Sequence, residues 1–161
     1  MINLSHGTKQ DFLRTGLVNH WAGVTLSLKN MFGVVPRSCY GWPKNGLHWA
    51  GIDMAILDIN AAVRPDFAIV DGIVGMEGNG PIQGTPKASG VLVFGDDVVA
   101  VDATCCRAMG LVPERVKYLV QAGTMLGHVN IDKIQQAGES VAAVRSKFGV
   151  VPEFRGLCEA A

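Results

Sequence analysis

The sequence predicts an α/β fold: a layered, mixed or mostly parallel sheet with helices on both faces, in a single domain over residues 1–161. Two short apolar runs, F-A-I-V-D-G-I-V (67–74) and G-V-L-V-F-G (90–95), have the pattern of strands buried on both sides. Stretches with helical spacing of apolar residues flank them. The 161 residues are 48% apolar and 17% charged, which suits one sizeable core and excludes intrinsic disorder.

The elements follow in chain order. Val24, Leu28, Met31, Phe32 and Val35 lie at offsets of 4, 3, 1 and 3, predicting a helix over 21–32 that Gly33 ends. Residues 34–46, with Pro36, Pro43, Asn45 and Gly46 around Tyr40 and Trp42, read as a loop. Ile52, Ala55, Ile56, Ile59 and Val63 form one stripe of a helix over 48–62, and Pro65 stops it. After the two strands, Asp96 and Asp97 open a helix to 109, Pro113 opens one to 122, and a last helix spans 140–148.

Between the strands, residues 75–89 form a fifteen-residue stretch with four Gly and two Pro, long enough to predict a functional loop. The charge around it is uneven. Fourteen Lys plus Arg balance fourteen Asp plus Glu, yet residues 65–104 hold six acidic side chains and one basic. Zero net charge argues against nucleic acid, whose phosphates call for a basic excess. No apolar run reaches the roughly 20 residues of a membrane span, and the start lacks the plan of a signal peptide, so a cytoplasmic protein is expected. Cys39, Cys105, Cys106 and Cys158 show no C-x-x-C spacing, so no iron–sulfur cluster is encoded locally and buried reduced thiols are expected.

The candidate site gathers around the acidic segment. Asp71 ends an apolar strand just before the glycine-rich stretch, where ligands of open α/β sheets bind. Glu77 and Asn79 follow, and Gly78, Gly80 and Gly84 would let backbone N–H groups approach an anion; the plainer role of these glycines is tight turns. Asp102 lies in a stripe of Val98, Val99, Cys105, Cys106 and Met109, so it must be buried and paired, metal-bound or protonated. Lys29, which with Asn30 closes the first helix, is a candidate partner; holding a helix end is the structural alternative. Asp71, Glu77, Asp97 and Asp102 offer oxygen ligands to a divalent metal, and His20 and His48, near predicted helix starts, extend the set to a transition metal. A shared site requires the two strands to run parallel, so that Asp97 meets Asp71, Glu77 and Asn79.

The strings T-L-S-L-K-N-M-F-G (25–33), D-G-I-V-G-M-E-G-N-G-P-I-Q-G (71–84) and G-D-D-V-V-A-V-D-A (95–103), in this order, resemble the domain of unknown function 362 family. The resemblance runs from about Val18 to Phe148. It implies an α/β domain with a shared polar site and an occasional redox association, without specifying a reaction. Family members carry a Lys-Thr-His type segment six residues before the threonine; Leu17, Val18 and Asn19 stand there, with His20 one residue beyond. Members are also longer, with an α/β segment before this one and often a ferredoxin-like cluster domain, which implies that the present domain is incomplete.

Three readings stand side by side. In the first, an enzyme-like domain binds a small anionic metabolite or metal, with Asp71, Glu77 and Asp102 as ligands or acid/base groups and Lys29 as stabiliser. In the second, a non-catalytic module docks a ferredoxin-like iron–sulfur protein or an identical chain. In the third, the chain is a truncated, inactive product. An incompletely covered sheet further predicts a homo-oligomer burying Val24, Met31 or strand residues.

Overall fold

The computed structural model describes residues 2–3, 17–19, 22–41, 45–80 and 82–159. Along the chain these form β1 (Ile2–Asn3), β2 (Leu17–Asn19), β3 (Gly23–Thr25), α1 (Ser27–Asn30), α2 (Arg37–Tyr40), α3 (Asn45–Trp49) and α4 (Ile52–Val63). Then come β4 (Phe67–Gly80), β5 (Gln83–Gly95), α5 (Val98–Ala108), α6 (Lys117–Met125) and α7 (Val141–Val144). Short 3-10 turns lie at Met31–Val34, Pro113–Arg115, Ile131–Lys133 and Pro152–Leu157.

The sheet is mixed rather than mostly parallel. β4 and β5 pair antiparallel from Ala68↔Gly95 to Asn79↔Gln83, with one register shift between Gly72 and Val74. β5 occupies one edge of β4, so β1 and β2 share the other, both parallel to β4, and β3 pairs antiparallel with β2. The predicted loop over 75–89 is therefore a correction: most of it is the continuation of both strands into a long hairpin. Glycine and proline lowered its strand signal, but backbone pairing does not need side chains.

Other elements differ for local reasons. The helix predicted over 21–32 is divided: Gly23–Thr25 is a strand, because Val24 and Thr25 are β-branched and find a partner in β2, and only Ser27–Asn30 is α-helical. The helix predicted over 48–62 breaks at Gly51, whose φ of 111° lies outside the helical range, and Arg64 ends the second part in the left-handed region before Pro65. The predicted loop 34–46 contains α2 and the start of α3, and the helix predicted over 140–148 shortens to α7. The helix that Asp97 opens is found as predicted.

Helices on both faces were expected; among the described residues, α5 packs against β4 and β5 and α1 against β4, and Leu26, just before α1, shares a small void with Val70. Ala68 and Val70, on the face so covered, are buried, at 1% and 3% exposure. Their neighbours in the opposite phase are Phe67, Ile69, Asp71 and Ile73 on β4 with Leu92 and Phe94 on β5, and Leu92 and Phe94 are 56% and 66% exposed. On the covered side, Leu26, Leu28, Ile56, Val99, Cys106, Tyr118 and Leu119 make a continuous core. Val24 and Met31 belong to that interior, so neither is available to the interface predicted for it.

Candidate functional site

Asp102 is fully buried, as its apolar stripe predicts. One carboxylate oxygen accepts the Ser27 backbone N–H (2.8 Å) and the Ser27 hydroxyl (2.5 Å); the other accepts the Leu28 N–H (3.1 Å). It thereby satisfies the first N–H groups of α1, which has no cap from its own N-terminal residue. Burial pushes the Asp102 carboxyl up to about 7, against the lowering effect of the Ser27 and Leu28 hydrogen bonds. A protonated Asp102 can donate to Ser27 Oγ, which in turn can donate to Val98 O at 3.3 Å, so both forms have partners.

Lys29 is not the partner of Asp102. Its ammonium sits 3.8 Å from the centroid of the Phe32 ring. Asn30 closes α1, its backbone N–H reaching Leu26 O at 3.0 Å. Asn60, which the sequence reading passed over, is buried and donates to Leu28 O (2.9 Å) and Ile56 O (2.8 Å). Asp102 and Asn60 thus fix α1 from two sides. A polar residue inside the α4 stripe was the available signal for Asn60.

Along the hairpin the candidates serve the backbone. Asp71 lies within β4 rather than at its end, and its carboxylate accepts the Ile73 N–H at 2.9 Å. Glu77 accepts the Gly149 N–H (2.8 Å) and pairs with Lys87 (3.5 Å), while Gly78 donates to Gly149 O (2.8 Å). Both therefore fasten the carboxyl-terminal segment to β4. Gly84 faces Gly78 across the ladder, Asn79 donates to the Gln83 side chain (2.9 Å), and Gly80 ends β4 opposite Asn19.

The antiparallel register separates what a parallel one would have joined. Gly95, just before Asp97, lies opposite Ala68, whereas Glu77 and Asn79 lie toward the other end, on the order of 30 Å away at strand rise. Asp102 is on the covered side of the sheet and Asp71 on the open side, so Asp71, Glu77, Asp97 and Asp102 do not converge. Among the described residues no three His, Cys, Asp or Glu side chains come together as a metal site. His48 stands edge-on to Phe32, with ring centroids 5.4 Å apart; His20 lies outside the described residues. Cys105 and Cys106 are buried, and burial raises both thiols well above their ordinary range, so neither is a ready nucleophile. A void of about 30 Å³ behind the hairpin, lined by Leu26, Val70, Val91, Met109 and Phe148, is too small for a metabolite.

Asp97 is the exception, because it binds a residue that the sequence reading did not select. Its Oδ1 accepts the Val99 and Ala100 N–H groups, 2.9 Å each, and its Oδ2 lies 2.9 Å from both the backbone N and the ring Nδ1 of His128. A Cβ at Gly127 would stand 2.1 Å from Asp97 Oδ1, so this approach requires glycine. The Gly127-His128 pair just past α6 was the only signal in the sequence.

The chain matches the domain of unknown function 362 (DUF362) over residues 18–107, more than half its length. It belongs to that family. The match includes the Thr25, Asp71 and Gly95 motifs and both residues of the Asp102–Ser27 contact. The chain is also 33% identical over 95 residues to the thylakoid-associated protein sll1697 of Synechocystis sp., covering 58% of this DUF362 chain and 30% of the relative. It therefore corresponds to about a third of that relative's length. No solved structure matches it. Among the described residues, no helix is long and apolar enough to cross a membrane.

Proposed function

We propose that this DUF362 chain is an interaction module whose open sheet face docks against a second copy of itself. The observation that carries the reading is the exposed row of Ile73, Leu92 and Phe94 beside Phe67 and Ile69. The Phe67 and Phe94 rings adjoin at 6.2 Å, so the apolar surface is continuous. Asp71 is the one ionisable side chain in this row, and it is turned onto its own strand.

The face thus offers no cation to a charged partner. Its complement is another apolar surface, which a second copy carries by construction and can meet across a two-fold axis in face-to-face sheet packing. The competing enzyme-like reading has less support: Asp102, Asp71 and Glu77 all hold the chain's own backbone.

Light scattering on the eluting wild-type chain tests the proposal. The expected mass is twice the 17.1 kDa of one chain, returning to 17.1 kDa in the Leu92→Glu/Phe94→Glu variant with its melting temperature retained. A wild-type monomer, or a dimer indifferent to the two substitutions, overturns it. So does a monomer that gains mass solely with an added ferredoxin, which transfers the face to iron–sulfur docking.

A further inference from the structure

An open cleft of about 490 Å³ lies beside α6 and falls in the size range of small-molecule sites. Gly123 and Thr124 of α6 form one wall, and His128, Asn130 and Lys133 line the rest. It is separate from the open sheet face.

The charges around the cleft are unequally compensated. Glu114, which also lines it, is held by Arg107 Nη2 at 2.5 Å, and the same Nη2 donates to Val129 O at 2.8 Å. Arg107 Nη1 is buried with no partner among the described residues. Asp97 is occupied by three backbone N–H groups and the imidazole. Glu114, half-exposed, is paired with Arg107, whereas Lys133 lines the cleft without an ion pair among the described residues.

The imidazole is also pre-oriented. Asp97 fixes His128 at Nδ1, and Gly127 makes the approach sterically feasible, so the ring is held without help from a ligand. Nε2 has no protein partner among the described residues. A carboxylate bonded to one ring nitrogen fixes the imidazole's orientation and leaves the other nitrogen for a ligand.

We infer that this cleft binds a small oxyanion metabolite, bearing a carboxylate or a phosphate, between His128 Nε2 and the Lys133 ammonium. The Asn130 side-chain amide N–H groups supply neutral hydrogen bonds along the wall, while the Thr124 hydroxyl donates to Gln121 O at 2.7 Å. The binding is independent of whether the sheet face dimerises.

The test is a titration of the full chain with inorganic phosphate and, in parallel, acetate, followed through the His128 ring signals by NMR. A saturable shift at His128, absent at His48, is expected, and Lys133→Met should weaken it about tenfold, the scale of one charge-assisted hydrogen bond. His128→Gln, compared through the Gly127 amide signal, should weaken binding similarly while leaving the melting temperature near wild type. Tighter phosphate binding assigns a phosphorylated ligand, and tighter acetate binding a carboxylate. The absence of a saturable shift, or equal affinity in wild type and Lys133→Met, overturns the inference.

Discussion

The two faces of the β4–β5 hairpin share one backbone and nearly one composition, yet they live in different solvents. On the covered face Ala68 and Val70 press against α5; on the open face Leu92 and Phe94, also apolar, stand more than half exposed. The same contrast separates the two aspartates. Asp71 on the open face is bonded to a strand neighbour, while Asp102, on the helix that covers the other face, has lost its water and gained three donors from α1. Residue type does not set the role here; the layer that covers the residue does.

Charge placed on each face breaks the comparison most strongly. Val70→Asp should prevent folding, because an unpaired carboxylate in the core costs several kcal/mol, a large share of a domain's stability. Leu92→Asp should change monomer stability by no more than about 0.5 kcal/mol in urea unfolding. Similar losses for the two would mean that the open face is covered in the free chain.

The next effect concerns the aspartates. Asp102→Ala leaves two backbone donors and the Ser27 hydroxyl buried without their acceptor and should cost about 3 kcal/mol. Asp71→Ala removes one exposed hydrogen bond and should cost about 0.5 kcal/mol. Equal costs in denaturant melts would place Asp102 in the same solvent as Asp71.

The smallest effect is a pH dependence with a definite sign. Because the folded Asp102 carboxyl is raised to about 7 from 3.8, the folded chain holds a proton that the unfolded chain releases between those values. Its contribution to stability is greatest below 3.8 and is lost as pH rises through 7, so raising pH from about 6 to 8 should cost about 1 kcal/mol. Asp102→Asn should flatten that slope. A slope of the same size in the variant would assign it to another group.

Much of this was legible in the sequence, for local reasons. The burial of Asp102 followed from its helical neighbours, the Asp97 cap from its place before an apolar run, and the two strand cores from their β-branched runs. The family motifs marked Thr25, Asp71 and Gly95. The hairpin was missed because glycine and proline report turn preference, whereas its ladder is stabilised between strands. The first helix was overextended because Val24 fits a helical stripe as well as a strand, and pairing with β2 decided the matter. His128 was missed because its partner lies 31 residues away.

By itself the sequence determined that Asp102 leaves water and that a helix begins after Asp97, because periodicity and capping act over a few residues. Only the tertiary structure decided strand direction, the partner of Asp102 and the exposure of Leu92 and Phe94. Each depends on what the rest of the chain brings alongside. Parallel and antiparallel ladders can bury the same apolar runs, and a buried carboxylate accepts any donor that arrives. The α1 amides arrived at Asp102 because the core seats α1 beside α5, which no local pattern encodes.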